Sequence, residues 1–300
     1  MDNPDIYLDY NASTPVLPEI ADAMRPFLSD HFGNPSSTHW AGAPARVATE
    51  HARSQIASLI GCAPDEILLT SGGSEANNHA IKGTVLNATS SPHLITTAIE
   101  HPAVLEPCRA AAEWGARVTV VPVDQYGIVD PDDIRRAITP QTVLISVMHA
   151  NNEVGSMQPI TAIATLAREH DILCHTDAAQ SAGKVPTLVK ELGVDLLSLA
   201  GHKLYAPKGV GALYVRQGVR LTPLIHGGGH ERGQRAGTES ALLAAGLGAA
   251  CSLAERDPCA LRLRALRDRF WQGLHTRLGD RVVLNGHPVR RLPNTLSVAF

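Results

Sequence analysis

Three short segments set reactive or anion-binding side chains beside apolar runs. Thr70-Ser71-Gly72-Gly73-Ser74-Glu75 follows one such run and opens a helical stretch. Small residues let the backbone approach an anion there, and a helix N-terminus offers unpaired N–H groups and a favourable dipole. It is not a Walker loop, because no Gly-Lys-Ser/Thr follows, and it lacks GxGxxG. The plain alternative is a strand-to-helix turn that is glycine-rich for steric reasons. Ala200-Gly201-His202-Lys203 ends a second apolar run and aims an amine at the crevice expected there. Lys82 and Lys190 fall in helical stretches and Lys208 in a Pro-Lys-Gly turn, so Lys203 stands apart. The third segment, His175-Thr176-Asp177-Ala178-Ala179-Gln180, places a carboxylate at the end of another run. A buried aspartate without a cationic partner is costly, which favours a ligand-facing role over a helix cap.

Two weaker signals join these. His101 closes the run before Pro102 and could stack on a planar ring, although a lone histidine there is more often structural. Asn151-Asn152-Glu153 offers an amide, or a simple turn. Phosphate cradle, stacker, amide, acid and amine together are what pyridoxal 5'-phosphate (PLP) requires. The amine forms a Schiff base, and the acid keeps the pyridine nitrogen protonated so that the ring acts as an electron sink.

The elements that must position these groups follow from periodicity. Seven β-branched or aliphatic runs lie between Glu66 and Arg216: EILLT, HLITTA, RVTVVPV, TVLISV, ILCHT, VDLLSL and GALYVR. Helical segments fill most of the gaps, which predicts an α/β fold with a mostly parallel sheet and helices on both faces. Ligands then gather at the carboxyl ends of the strands. Residues 239–278 read as helical throughout, with Leu266, Phe270, Leu274 and Leu278 forming a stripe packed on a neighbour. RVVLNG and NTLSVAF read as two further strands, the second running into Phe300.

Composition narrows the function. The 300 residues are 44% hydrophobic and 18% charged, with a formal net charge of −3. That balance gives no electrostatic footprint for nucleic acid or an anionic membrane, so a small-molecule substrate is expected. No apolar run is long enough to span a bilayer, and MDNPDIYLDYNAS lacks the pattern of a signal peptide, so a cytoplasmic protein is expected. The sequons at Asn11 and Asn87-Ala88-Thr89 then carry no weight. Five cysteines (Cys62, Cys108, Cys174, Cys251, Cys259) form no CxxC pair or disulfide framework, and fourteen dispersed histidines suggest no metal site.

The chain resembles the cysteine desulfurases, PLP enzymes of the class-V aminotransferase-like group. The resemblance rests on LDYNASTP, FGNPSSTH, TSGGSEANN, EHPAVL, NNEVG, HTDAAQS, GHKLYAPKGVGALYV, GGGHERGQRAGTE and LPNTLSVAF, in that order. It implies PLP-dependent transferase fold type I. A large PLP-binding domain would span residues 14–255, and residues 1–13 with 256–300 would form a small α+β domain that is incomplete at Phe300. It implies Lys203 as the Schiff-base lysine, Asp177 beside the pyridine nitrogen, and His101 stacked on the ring and assisting proton transfer. Asn152 and Gln180 would face the phenolic oxygen. Gly73, Ser74 and His202 would hold the phosphate, and Thr238 would reach the phosphate of the opposite subunit of a homodimer. Relatives often have serine where this chain has Ala200, a loss worth on the order of 1.5–3 kcal/mol of cofactor binding.

The implied reaction converts L-cysteine to L-alanine, with sulfur passing as a protein persulfide to an iron–sulfur scaffold or another acceptor protein. In relatives the attacking cysteine and a carboxylate-binding arginine lie beyond LPNTLSVAF. Two readings therefore stay open: a truncated desulfurase, or a short PLP-binding paralogue. The paralogue would act as a transaminase or β-lyase, or as a catalytically silent dimerising partner.

Overall fold

In the computed structural model, residues 5–88, 91–256 and 259–300 are described. Met1–Pro4, Thr89 of the second sequon, and Asp257-Pro258 ahead of Cys259 lie outside them. All seven runs form strands: β1 Ile67–Thr70, β2 His93–Thr97, β3 Arg117–Val121, β4 Thr142–Ser146, β5 Leu173–Asp177, β6 Leu196–Ala200 and β7 Gly211–Val215. They make one sheet in the order β1-β7-β6-β5-β4-β2-β3. Strands β2 to β6 pair in parallel, whereas β7 runs antiparallel to both β1 and β6.

Both faces of the sheet are covered, which is why the strands read as continuous apolar runs. Alternate residues diverge to two cores. Ile145, Leu197 and Leu199 join α2 (Ala43–Ile60), α6 (Ile160–Glu169), α7 (Val189–Leu192) and α8 (Ala241–Arg256) on one face. Leu144, Leu196 and Leu213 join α3 (Gly73–Asn87) and α4 (Pro102–Glu113) on the other. Helices α1 (Pro18–Met24) and α5 (Pro131–Ala137) complete the cover, with Ile20 and Ile134 in the first core.

The C-terminal expectation needs two corrections. Residues 239–278 are not one helix, because α8 ends at Arg256 and α9 runs from Ala260 to Leu278. Asp257-Pro258, between the two helices in sequence, lie outside the described residues. The stripe on α9 is not packed away either. No residue of α9 is buried, and Leu266 and Phe270 remain 54% and 53% exposed. The two last strands are short, Val283–Leu284 (β8) pairing antiparallel with Val298–Ala299 (β9).

Candidate active site

A cavity of about 500 Å³ opens at the carboxyl ends of the parallel strands. Eight of the nine residues singled out from sequence line it: Gly73, Ser74, His101, Asn152, Asp177, Gln180, His202 and Lys203. Thr238 does not. It is exposed on the loop before α8 and faces a separate recess beside Thr70, Ser71 and Arg235.

The turn after β1 delivers the cradle. Gly72 adopts a φ of +148°, a conformation strained for any residue with a side chain. A Cβ on Gly73 would sit 3.2 Å from the Ala200 Cβ, so the cradle backbone lies tight against the end of β6. The first turn of α3 leaves N–H groups unpaired beside this approach. His202 follows in the short 3-10 turn Gly201–Lys203, and its buried Nδ1 has no hydrogen-bond partner. Burial, with Lys203 and other nearby cations, holds this imidazole below its ordinary pKa. Together these donors fit a phosphate group.

Asp177 ends β5 and is 7% exposed. Its carboxylate accepts the Asn77 Nδ2 at 2.6 Å and the Ala179 N–H at 2.9 Å. Burial raises its pKa, and the bonds from Ala179 and Asn77 oppose that without cancelling it. The local cap and the ligand-facing role therefore coexist in one side chain. Among the described residues no cation contacts this carboxylate, although His101 and Lys203 act on it from a distance, and a protonated pyridine nitrogen would be a fitting partner.

Lys203 Nζ donates to the Ala12 carbonyl at 2.9 Å and to the Asn11 carbonyl. Burial lowers its pKa, and Asp177, Asp9 and Glu153 work in the other direction. Gln180 Nε2 donates to the same Asn11 carbonyl at 2.9 Å. His101 caps α4, accepting the Ala103 N–H on Nδ1 at 3.0 Å, which fixes the plane of its ring at the cavity wall. Asn152 lies well past the end of β4, in a turn built by Asn151. The Asn151 Oδ1 accepts from Glu153 and Val154 N–H, both at 2.9 Å. The turn and the cavity-facing amide thus fall to neighbouring residues, not to one.

Two contributors escaped the sequence reading. Asn77 lies on α3 one turn past the cradle, where TSGGSEANN already marked the segment but not the residue. Asn11 joins the N-terminal arm to the last described segment. Its Nδ2 donates to the Asn152 carbonyl at 3.1 Å and to Thr295 Oγ1 at 3.0 Å, and its Oδ1 accepts from Asn294 at 3.0 Å. Only LDYNASTP hinted at it.

Four of the five cysteines are poor nucleophiles. Burial pushes Cys62, Cys108 and Cys251 up to about 12 and raises Cys174 as well. Among the described residues no group of three or more His, Cys, Asp or Glu side chains could hold a metal ion. No helix there is long and apolar enough to cross a membrane.

A lysine amine, a buried acid and a helix N-terminus with free N–H groups thus meet in one cavity at the strand ends of this sheet, an arrangement of the kind found in class-V aminotransferase-type enzymes. The aminotransferase class-V family matches residues 6–300, and the chain belongs to that family, in its cysteine desulfurase branch. It is 50% identical to the cysteine desulfurase IscS of Dictyoglomus turgidum, over 99% of this chain and 76% of that protein. It is 45% identical to the mouse (Mus musculus) cysteine desulfurase, over 98% of this chain and 65% of the mouse protein. A solved NifS-like protein superposes with a TM-score of 0.94 at 37% identity, covering 98% of this chain and 81% of the other. A structure described as SspA in complex with cysteine gives a TM-score of 0.90 at 40% identity, covering 99% and 84%.

Proposed function

We propose that the chain is a PLP-dependent cysteine desulfurase, converting L-cysteine and a protein thiol to L-alanine and a protein persulfide. The observation that carries this is the buried Asp177 carboxylate with no contacting cation, in the same cavity as the Lys203 amine and the orphaned His202 Nδ1. Relatives named for the activity, and a neighbour solved with cysteine, support the substrate. They favour a desulfurase over a transaminase, a β-lyase or a silent partner.

Bound PLP supplies a ring that withdraws electrons from the substrate's α-carbon. The chain's own residues do the rest. Gly73 and Ser74 N–H groups and the His202 ring would hold the phosphate. Asp177 would keep the pyridine nitrogen protonated, and Asn77 and the Ala179 N–H hold Asp177 in place. His101 would pack against the ring, and Asn152 and Gln180 would serve its phenolic oxygen. Lys203 would hold the cofactor at rest and move protons at the substrate's α-carbon. Its lowered pKa keeps more of the amine in the neutral form that this work needs.

In this reading residues 14–255 form the large domain, and residues 1–13 with 256–300 belong to the small one. The protein works in the cytoplasm as a homodimer, with Thr238 reaching the partner's phosphate. It passes sulfur to an iron–sulfur scaffold or another acceptor protein. The test is to load the purified chain with PLP, reduce it with borohydride and map the adduct. Lys203 is expected to carry it, and Lys203→Ala to abolish it; an adduct that survives in the variant refutes the assignment. Alanine formed from L-cysteine separates a desulfurase from a transaminase or β-lyase, which yields a keto acid.

A further inference from the structure

Glu75 sits in the first turn of α3, one residue past the cradle, where its charge competes with any anion drawn to that helix N-terminus. Its Oε2 accepts the Ser71 N–H at 2.8 Å. Arg235 grips the same carboxylate with both arms, Nε to Oε1 at 2.8 Å and Nη2 to Oε2 at 3.2 Å. The pair is largely shielded, with side chains 23% and 15% exposed. Burial acts to raise the Glu75 pKa, but the bonds from Arg235 and Ser71 together hold it below the ordinary carboxylate range, so the charge is present and must be offset.

The loop that brings Arg235 here is fastened independently. Glu231 accepts Arg53 Nη1 and Nη2 at 2.8 and 3.0 Å and the Leu69 N–H at 3.0 Å. Arg232 reaches the Ile67 carbonyl at 2.8 Å. Glu231 and Arg232 both take left-handed backbone conformations, φ +46° and +57°. Held strain of this kind marks a segment whose placement the surrounding structure enforces. Arg235 is therefore delivered to the cradle on a braced arm tied to β1, the strand that leads into the cradle.

We propose that Arg235 is a positioning residue for the cofactor phosphate. By neutralising Glu75 and holding it on the Ser71 N–H, it leaves the Gly73 and Ser74 N–H groups open to a dianion. The inference rests on the PLP reading above. Lysine at this position would offset the charge but not the two-point grip.

The test compares the affinities of PLP and pyridoxal, which lacks the phosphate, for the cofactor-free full chain. The preference for PLP isolates the phosphate contribution. Arg235→Met is expected to cut that preference at least about ten-fold while leaving pyridoxal affinity in place, the scale of an unscreened charge at a helix N-terminus. Glu75→Gln/Arg235→Met is expected to restore it, because the uncompensated charge is gone. Equal weakening of both aldehydes, an unchanged preference, or no rescue in the double variant overturns the proposal. If Arg235→Met does not fold, Glu75→Gln alone decides: a preference at or above that of the unaltered chain supports the proposal, and a ten-fold fall overturns it. A chain that binds neither aldehyde before any substitution refutes the cofactor reading itself, and the two failures are thereby distinguished.

Discussion

Replacing Arg53 by methionine is expected to cost about 3 kcal/mol of folding stability, at the low end of the range for breaking a buried ion pair. The side chains of Arg53 and Glu231 are 3% and 1% exposed, so water cannot replace the lost contact. Methionine fills much of the space with a flexible chain, which limits any cavity. The carboxylate loses its 2.8 and 3.0 Å bonds to the guanidinium and keeps the Leu69 N–H. The Ile67 carbonyl, which Arg53 also serves, keeps Arg232 as a second donor. No backbone group is orphaned, and this places the estimate at the lower bound. With a urea m-value of about 3 kcal/mol/M, the midpoint should fall by roughly 1 M. Urea titration followed by the fluorescence of Trp40, Trp114 and Trp271 reads this directly. Arg53→Met/Glu231→Gln should recover part of the loss, because the stranded charge is removed. A midpoint shift below about 0.3 M at unchanged m would refute the view that this pair braces the loop.

Other outcomes follow from the same structure. Asp177→Ala should still bind PLP through the cradle but lose turnover by at least about a hundred-fold, measured as alanine release; normal turnover would remove the acid from the mechanism. Burial lowers His175 to about 3, so the unfolded chain binds a proton that the folded one refuses. That contribution is complete above pH 6.5 and is lost as pH falls toward 3. His175→Gln should therefore flatten the fall of the melting temperature below pH 6.5, and a parallel curve would disprove it. Burial, with the Asp177 charge adding to it, raises Glu100 to about 8, against the bonds from Thr97 and the Met148 N–H. The folded state then holds a proton the unfolded chain has released between about 4.5 and 8, and stability declines as pH rises through that window. Glu100→Gln should remove this decline, seen as a gain over the unaltered protein that grows from about pH 4.5 to about 8 and then levels off.

Much of this was legible from residue types and spacing. Most of the seven strands announced themselves because they are buried on both faces and read as apolar runs, with Asp177 at the end of one and Lys203 just past another, while the edge strand β3, half exposed, was marked by its β-branched valines and threonine. The α9 stripe misled because periodicity reports an apolar face without saying whether anything lies against it. Asn11 was beyond reach for a different reason. It works through its backbone carbonyl and a side-chain amide that meets Thr295, and no local pattern records a partner so distant in the chain. Arg235 and Glu75 are opaque in the same way, since charge pairing across the fold leaves no periodic trace.

Placing β1 at the sheet edge, paired only with β7, has a consequence during synthesis. The strand that carries the phosphate cradle leaves the ribosome early and has no hydrogen-bonding neighbour until β7 follows. At 5–20 residues per second that wait is on the order of ten seconds. Throughout it, Ile67-Leu68-Leu69-Thr70 is an unpaired apolar edge open to other nascent chains. Chaperone demand should peak in that interval and end abruptly once the last strand of the large sheet slots in. Cofactor capture cannot begin before then, because that insertion brings the cradle and Lys203 together.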